Sequence, residues 1–261
     1  MSVVLSIKGL SVGFHKKGGD KVLIKDFSDE LVGGQLVSIL GLNGSGKTTL
    51  LRTLIGREPE LAGTVFFDGK ELEAIPLKEL SKKVAVVMTE RNVPGLMLTQ
   101  DIVALGRSPY TGLLGKLSAK DEQMVEWAMN STGAEGLVGR RVGELSDGEK
   151  QKVLLARALA QDTPIIILDE PNTFLDLKNR VMIFKKAVEL CKENGKTILL
   201  STHDLQLALE MSDRLWVIGP DQQIFKGSTS DMIEENIISQ TFDDQYIKFN
   251  KENLSFNIKK S

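Results

Sequence analysis

Residues 41–50, GLNGSGKTTL, concentrate the types that handle phosphate. Gly41, Gly46, Lys47 and Thr48 fill every fixed position of the G-x-x-x-x-G-K-[ST] pattern, with Asn43, Gly44 and Ser45 completing the loop. Glycines at 41, 44 and 46 let successive backbone N–H groups converge on phosphate oxygens. Lys47 adds a positive charge toward the β- and γ-phosphates, and the Thr48 hydroxyl is the expected Mg²⁺ ligand. Thr49 adds a hydroxyl for the α-phosphate.

A phosphate cradle of this kind needs an apolar strand that ends in aspartate. IIILDE, residues 165–170, supplies it. Asp169 is placed to hold the magnesium, and Glu170 to accept a proton from an attacking water as general base. A third stretch, ELSDGEKQK at 144–152, opens a long apolar-periodic helix. Ser146 and Glu149 have capping-box spacing, and Gly148 leaves room for close approach. Helix starts of this composition bind anions. From the residues alone the stretch reads first as a capped helix start, and phosphate binding by the same helix end stays open beside it.

The elements around these residues alternate strand and helix, which predicts an α/β fold with a substantially parallel sheet. QLVSIL (35–40) runs into the glycine loop, and GKTTLLRTLIG is the helix after it. SVVLSIKGLSVGF and KVLIKDFSDEL read as an antiparallel arm, and GTVFFDGK as a hairpin with Asp68-Gly69 at its turn. The expected division is a core over 1–90, a helical subdomain over 91–160, the rest of the core over 161–227, and an extension over 228–261.

The 261 residues carry 33 Lys+Arg against 35 Asp+Glu, with no basic excess to suit nucleic acid. At 5 % aromatic, the chain is also poor in stacking platforms for single strands. The single cysteine, Cys191, makes no internal disulfide and reads as a small buried hydrophobe. MSVVLSIKGL lacks the basic region and long apolar run of a signal peptide, and no run is long enough to span a bilayer. Any membrane role would need a separate membrane subunit.

The order P-loop, LSDGEKQKVLLARAL, IIILDEP, FLD and STHD resembles the ATP-binding cassette (ABC) ATPases over about residues 3–227. The resemblance implies a mixed-sheet P-loop fold with an antiparallel arm and an inserted helical subdomain. It also implies a head-to-tail homodimer that sandwiches two ATP molecules with Mg²⁺. Each ATP would meet the P-loop of one protomer and the signature helix (Ser146, Gly148, Glu149) of the other. His203 matches the switch histidine that bonds the γ-phosphate and positions the catalytic carboxylate. Asp176 matches the loop that links the two sites, and Phe14 stands where the family places an adenine-stacking aromatic.

The sequence departs from the family in three places. Glu90 stands where glutamine usually approaches the metal and water, Asp147 and Glu149 replace the commoner Gly and Gln, and Asn172 replaces Thr. Acidic residues beside a phosphate should weaken the sandwich unless they point away. IVALGRSPYTG is similar to ATPases of iron–siderophore, haem and cobalamin importers. That branch implies a peripheral subunit on the cytoplasmic face of the cell membrane, bound to integral permease subunits. A periplasmic or lipid-anchored substrate-binding protein would be served indirectly. Iron–siderophore is the expected cargo, with cobalamin or haem as alternatives. A soluble ABC ATPase of ribosomes or DNA, or a non-hydrolysing regulator, are the competing classes.

Overall fold

The computed structural model describes residues 2–88, 93–112, 115–173 and 175–259. Strands β1 (Val3–Phe14), β2 (Lys21–Val32) and β3 (Leu36–Gly41) lead into helix α1 (Lys47–Leu54). β4 (Ala62–Phe67), β5 (Lys70–Glu71), α2 (Leu77–Leu80) and β6 (Val84–Val87) follow. Next come α3 (Thr99–Ala104), α4 (Ala119–Ser131), α5 (Asp147–Ala160), β7 (Ile165–Asp169) and α6 (Leu177–Asn194). β8 (Thr197–Ser201), α7 (Leu205–Met211), β9 (Arg214–Ile218) and β10 (Ile224–Gly227) precede α8 (Thr229–Glu234) and α9 (Ile237–Phe242). β11 (Ile247–Asn250) and β12 (Ser255–Ile258) form a closing hairpin.

Two compact units arise, one from Met1–Ile75 with Ala187–Ser261, the other from Pro76–Lys186. The stretch 91–160 lies inside the second unit, which also takes in β6 and β7. In the first unit, β3 is buried at all six positions, as a strand covered on both faces must be. It pairs in parallel with β8 and β9, while β10 runs antiparallel to β9, so the sheet is mixed. The arm is the antiparallel order β2-β1-β4-β5. Its last turn holds Asp68 at φ 50° and Gly69 at φ 76°, the left-handed pair that a two-residue hairpin needs.

Buried Asp29 ties the arm to the mixed sheet. Its carboxylate accepts from Arg214 Nη2 at 2.6 Å and from Trp216 Nε1 at 2.8 Å. Phe27 meets the Trp216 ring edge-on at 4.9 Å between centroids. Cys191 is buried, in keeping with its place in an amphipathic helix. The extension, whose sequence signals are mixed, forms α8, α9 and the hairpin around Phe242, Phe249 and Phe256.

In the second unit, β6 and β7 pair in parallel, and α3, α4 and α5 pack together. α4 and α5 start identically: Ser118 with Asp121, and Ser146 with Glu149, each form a reciprocal capping box. No described helix is long and apolar enough to cross a membrane.

Candidate functional site

In the first unit, β3 ends at Gly41 and the glycine loop turns the chain into α1. Gly44 (φ 77°) and Gly46 (φ 107°) occupy the left-handed region, where a side chain would be strained. A Cβ on Gly46 would also press on Leu23 at 3.0 Å. Lys47 is buried and donates to the carbonyls of Gly41 (2.9 Å) and Leu42 (3.3 Å), which keeps its charge inside the loop. The Ser45 hydroxyl is buried with no hydrogen-bond partner among the described residues. The first turn of α1 carries no acidic side chain, so its positive end is not offset locally. Asn43, Gly44 and Ser45 line one wall of a cleft of about 300 Å³. An orphaned hydroxyl, a retained lysine and an open helix start fit a bound polyphosphate.

Phe14 ends β1, is 40 % exposed, and stands opposite Lys21, which lines the same cleft. Phe14 itself is not among the lining residues. Ile39 of β3 lies opposite Ser201 of β8 in parallel register, and the Thr202 N–H donates to the Ile39 carbonyl. The segment holding His203 therefore emerges at the same end of the sheet as the glycine loop. Asp204 caps α7, its Oδ1 accepting from the Leu207 N–H, while Thr202 Oγ1 accepts from the Asp204 N–H. His203, between these two anchors, is exposed.

In the second unit, Asp169 is buried at the end of β7. Glu170 is partly exposed and sits at φ 47°, a conformation no sequence signal announced. The Thr173 N–H and Oγ1 both donate to the Glu170 carbonyl, which closes the chain into a turn there. Asp176 is exposed and accepts from the Asn179 N–H at 2.8 Å, so it caps the start of α6. Glu90 lies outside the described residues.

At the start of α5, Ser146 is exposed, and Gly148 faces Asn179 so closely that a Cβ would lie 3.3 Å from its Nδ2. Glu149 folds back onto the helix start: Oε2 accepts from the Ser146 N–H (2.8 Å) and hydroxyl (2.9 Å). Its Oε1 accepts from Arg140 Nη1 at 2.7 Å. The backbone and side-chain bonds from Ser146, with the Arg140 charge behind them, hold the Glu149 carboxyl below its ordinary pKa. Asp147 meets Lys150 at 3.9 Å. Arg140 carries no motif, and only its basic type six residues before Ser146 hinted at this role.

Among the described residues, no cluster of three His, Cys, Asp or Glu side chains could hold a metal ion. Thr48 in the first unit offers a hydroxyl and Asp169 in the second a carboxylate, each an oxygen donor of the kind Mg²⁺ accepts.

The family model for ABC transporters matches residues 24–173. The chain belongs to the ABC transporter family. As an ABC ATP-binding protein it binds and hydrolyses ATP. It is 36 % identical over 240 residues to an uncharacterised ABC transporter ATP-binding protein of Methanocaldococcus jannaschii, covering 92 % of this chain and 81 % of that one. It is 32 % identical over 238 residues to the iron(3+)-hydroxamate import ATP-binding protein FhuC of Bacillus subtilis, covering 91 % and 87 %. The ABC fold also superposes on a dimeric ATP-binding cassette bound to ADP and Pi, with TM-score 0.76 and 25 % identity over 86 % of this chain and 98 % of that one.

Proposed function

We propose that this ABC ATPase powers uptake of an iron–siderophore-type metal chelate through a separate membrane permease. One observation carries the reading. Relatives that align over about nine-tenths of the chain include import ATPases named for iron(3+)-hydroxamate and for siderophores. The cassette would work as a homodimer on the cytoplasmic face of the cell membrane, and a substrate-binding protein would deliver cargo to the permease.

In this reading Gly41, Asn43, Gly44, Ser45, Gly46, Lys47 and Thr49 cradle the phosphates, and Phe14 stacks on adenine. Thr48 and Asp169 hold Mg²⁺, with Glu90 facing the metal and water. Held there, Mg²⁺ would supply positive charge against the phosphate oxygens. Glu170 takes the proton of the attacking water, and His203 hydrogen-bonds the γ-phosphate and orients Glu170. Ser146, Gly148 and Glu149 form the face that meets ATP held by the second protomer, with Asp176 linking the two sites. The exposure of Ser146 and His203 supports roles in contact with nucleotide.

The test joins two measurements. Glu170→Gln should abolish steady-state ATP turnover and yet dimerise at millimolar Mg²⁺-ATP. Capture of the tagged protein from gently solubilised native membranes should recover a polytopic permease, and cells lacking the gene should lose uptake of iron-55 hydroxamate. Retained iron uptake with impaired cobalamin uptake would replace the cargo. Recovery of ribosomal or DNA-repair partners in place of a permease would overturn the transport reading.

A further inference from the structure

The acidic residue in this signature raises a physical problem. Glutamate and glutamine both complete a capping box, so the cap does not need the charge of Glu149. A carboxylate bonded to Ser146 at a phosphate-binding helix end repels the phosphate. It also competes with it, because a serine hydroxyl has one proton to give and here gives it to Glu149.

We infer that Arg140 is the positioning residue that makes this signature helix competent for phosphate. Its guanidinium is anchored by Nη2 donating to the Glu144 carbonyl at 3.1 Å, which fixes Nη1 on Glu149 Oε1. The carboxylate is thereby shared: one oxygen faces Ser146, the other faces a full positive charge. Pairing with Arg140 offsets the negative charge and makes Glu149 a weaker acceptor, so the Ser146 hydroxyl can turn and donate its hydrogen bond to a phosphate oxygen. Asp147, the other acidic departure, has Lys150 beside it at 3.9 Å. Arg140 and Glu149 thus act together in place of one neutral glutamine. The inference rests on the proposed reading that α5 meets the ATP of a second protomer.

The experiment uses the full chain carrying Glu170→Gln and measures, by light scattering, the ATP concentration for half-maximal dimerisation with Mg²⁺. Arg140→Ala should raise it about tenfold or more, since the charge on Glu149 is then unbalanced. Adding Glu149→Gln to Arg140→Ala should restore dimerisation to within about threefold of the parent. Glu149→Gln alone, which leaves the cap and Arg140 in place, should tighten it. Binding of a fluorescent ATP analogue to the Arg140→Ala monomer should match that of the parent monomer. If the Glu170→Gln parent does not dimerise, the shared-site reading falls and this inference with it. If the parent dimerises and Arg140→Ala matches it, Arg140 has no such role. A loss that Glu149→Gln fails to rescue, or a weaker dimer with Glu149→Gln alone, overturns the charge argument.

Discussion

Arg107 and Asp121 form a buried ion pair, Nε to Oδ1 at 2.8 Å, with both side chains less than 10 % exposed. The pair gives GRSPY a structural role. Arg107 Nη1 donates to the Ala160 carbonyl at 2.7 Å, and Tyr110 stacks over the guanidinium at 4.1 Å. A Cβ on Gly106 would come within 2.3 Å of the Arg157 carbonyl, so only glycine lets this segment lie so close to the last turn of α5. The motif is a clamp on the far end of the signature helix.

Arg107→Ala should destabilise the protein by about 3 kcal/mol, because it removes the counter-ion of buried Asp121, leaving it only the Ser118 bonds, and unpairs the Ala160 carbonyl from Nη1. The urea midpoint of the purified protein measures this. A shift of less than about 1 kcal/mol would mean that the pair is held only loosely.

Acid should release the same pair. The Asp121 carboxyl is lowered from 3.8 to about 2, first by hydrogen bonds from the Ser118 hydroxyl and backbone and then by Arg107. A carboxyl lowered on folding stabilises the protein above its unfolded pKa and loses that contribution as pH falls. The loss should therefore run from about pH 4 down to about pH 2. Asp121→Asn should flatten the pH dependence of stability in that window, seen by thermal melts at closely spaced pH.

Burial pushes the Cys191 thiol up to about 12. Its thiolate is scarce at neutral pH, so iodoacetamide should label the native protein at least tenfold more slowly than the urea-unfolded chain. Mass spectrometry after timed quenching reads the ratio. Equal rates would place Cys191 at the surface.

Glu90 can be weighed by its substitutions, as it lies outside the described residues. Glutamine there restores the family's usual residue and should keep ATP turnover. Alanine removes the oxygen proposed to face metal and water, and should cut turnover about tenfold or more, within the range for one positioned polar group. Unchanged rates in both would sink the role.

Much of this fold and site is legible in the sequence because several signals agree at each place. The strand before Gly41, the Asp68-Gly69 turn and the Ser146 cap each combine a residue type with the pattern beside it. A motif residue's structural contacts are less legible than its motif. Asp176 reads as a link between sites, and the structure shows it capping α6. Arg107 reads as a branch marker, and it is a structural clamp. The Arg140–Glu149 contact spans nine residues across a loop, and no periodicity announces such a pair. The extension is obscure because its elements are short, with helices and strands of four to six residues built around three aromatic rings.

The backbone of Glu170, at φ 47°, carries a further meaning. A non-glycine residue in the left-handed region costs about 1–3 kcal/mol. Glycine would adopt that turn without the cost, and would lack the carboxylate proposed to take the proton. Glu170→Gly should therefore melt at a higher temperature than the parent and turn over no ATP. A laboratory selection for heat resistance alone would drift toward glycine here and breed a sturdier cassette that no longer works.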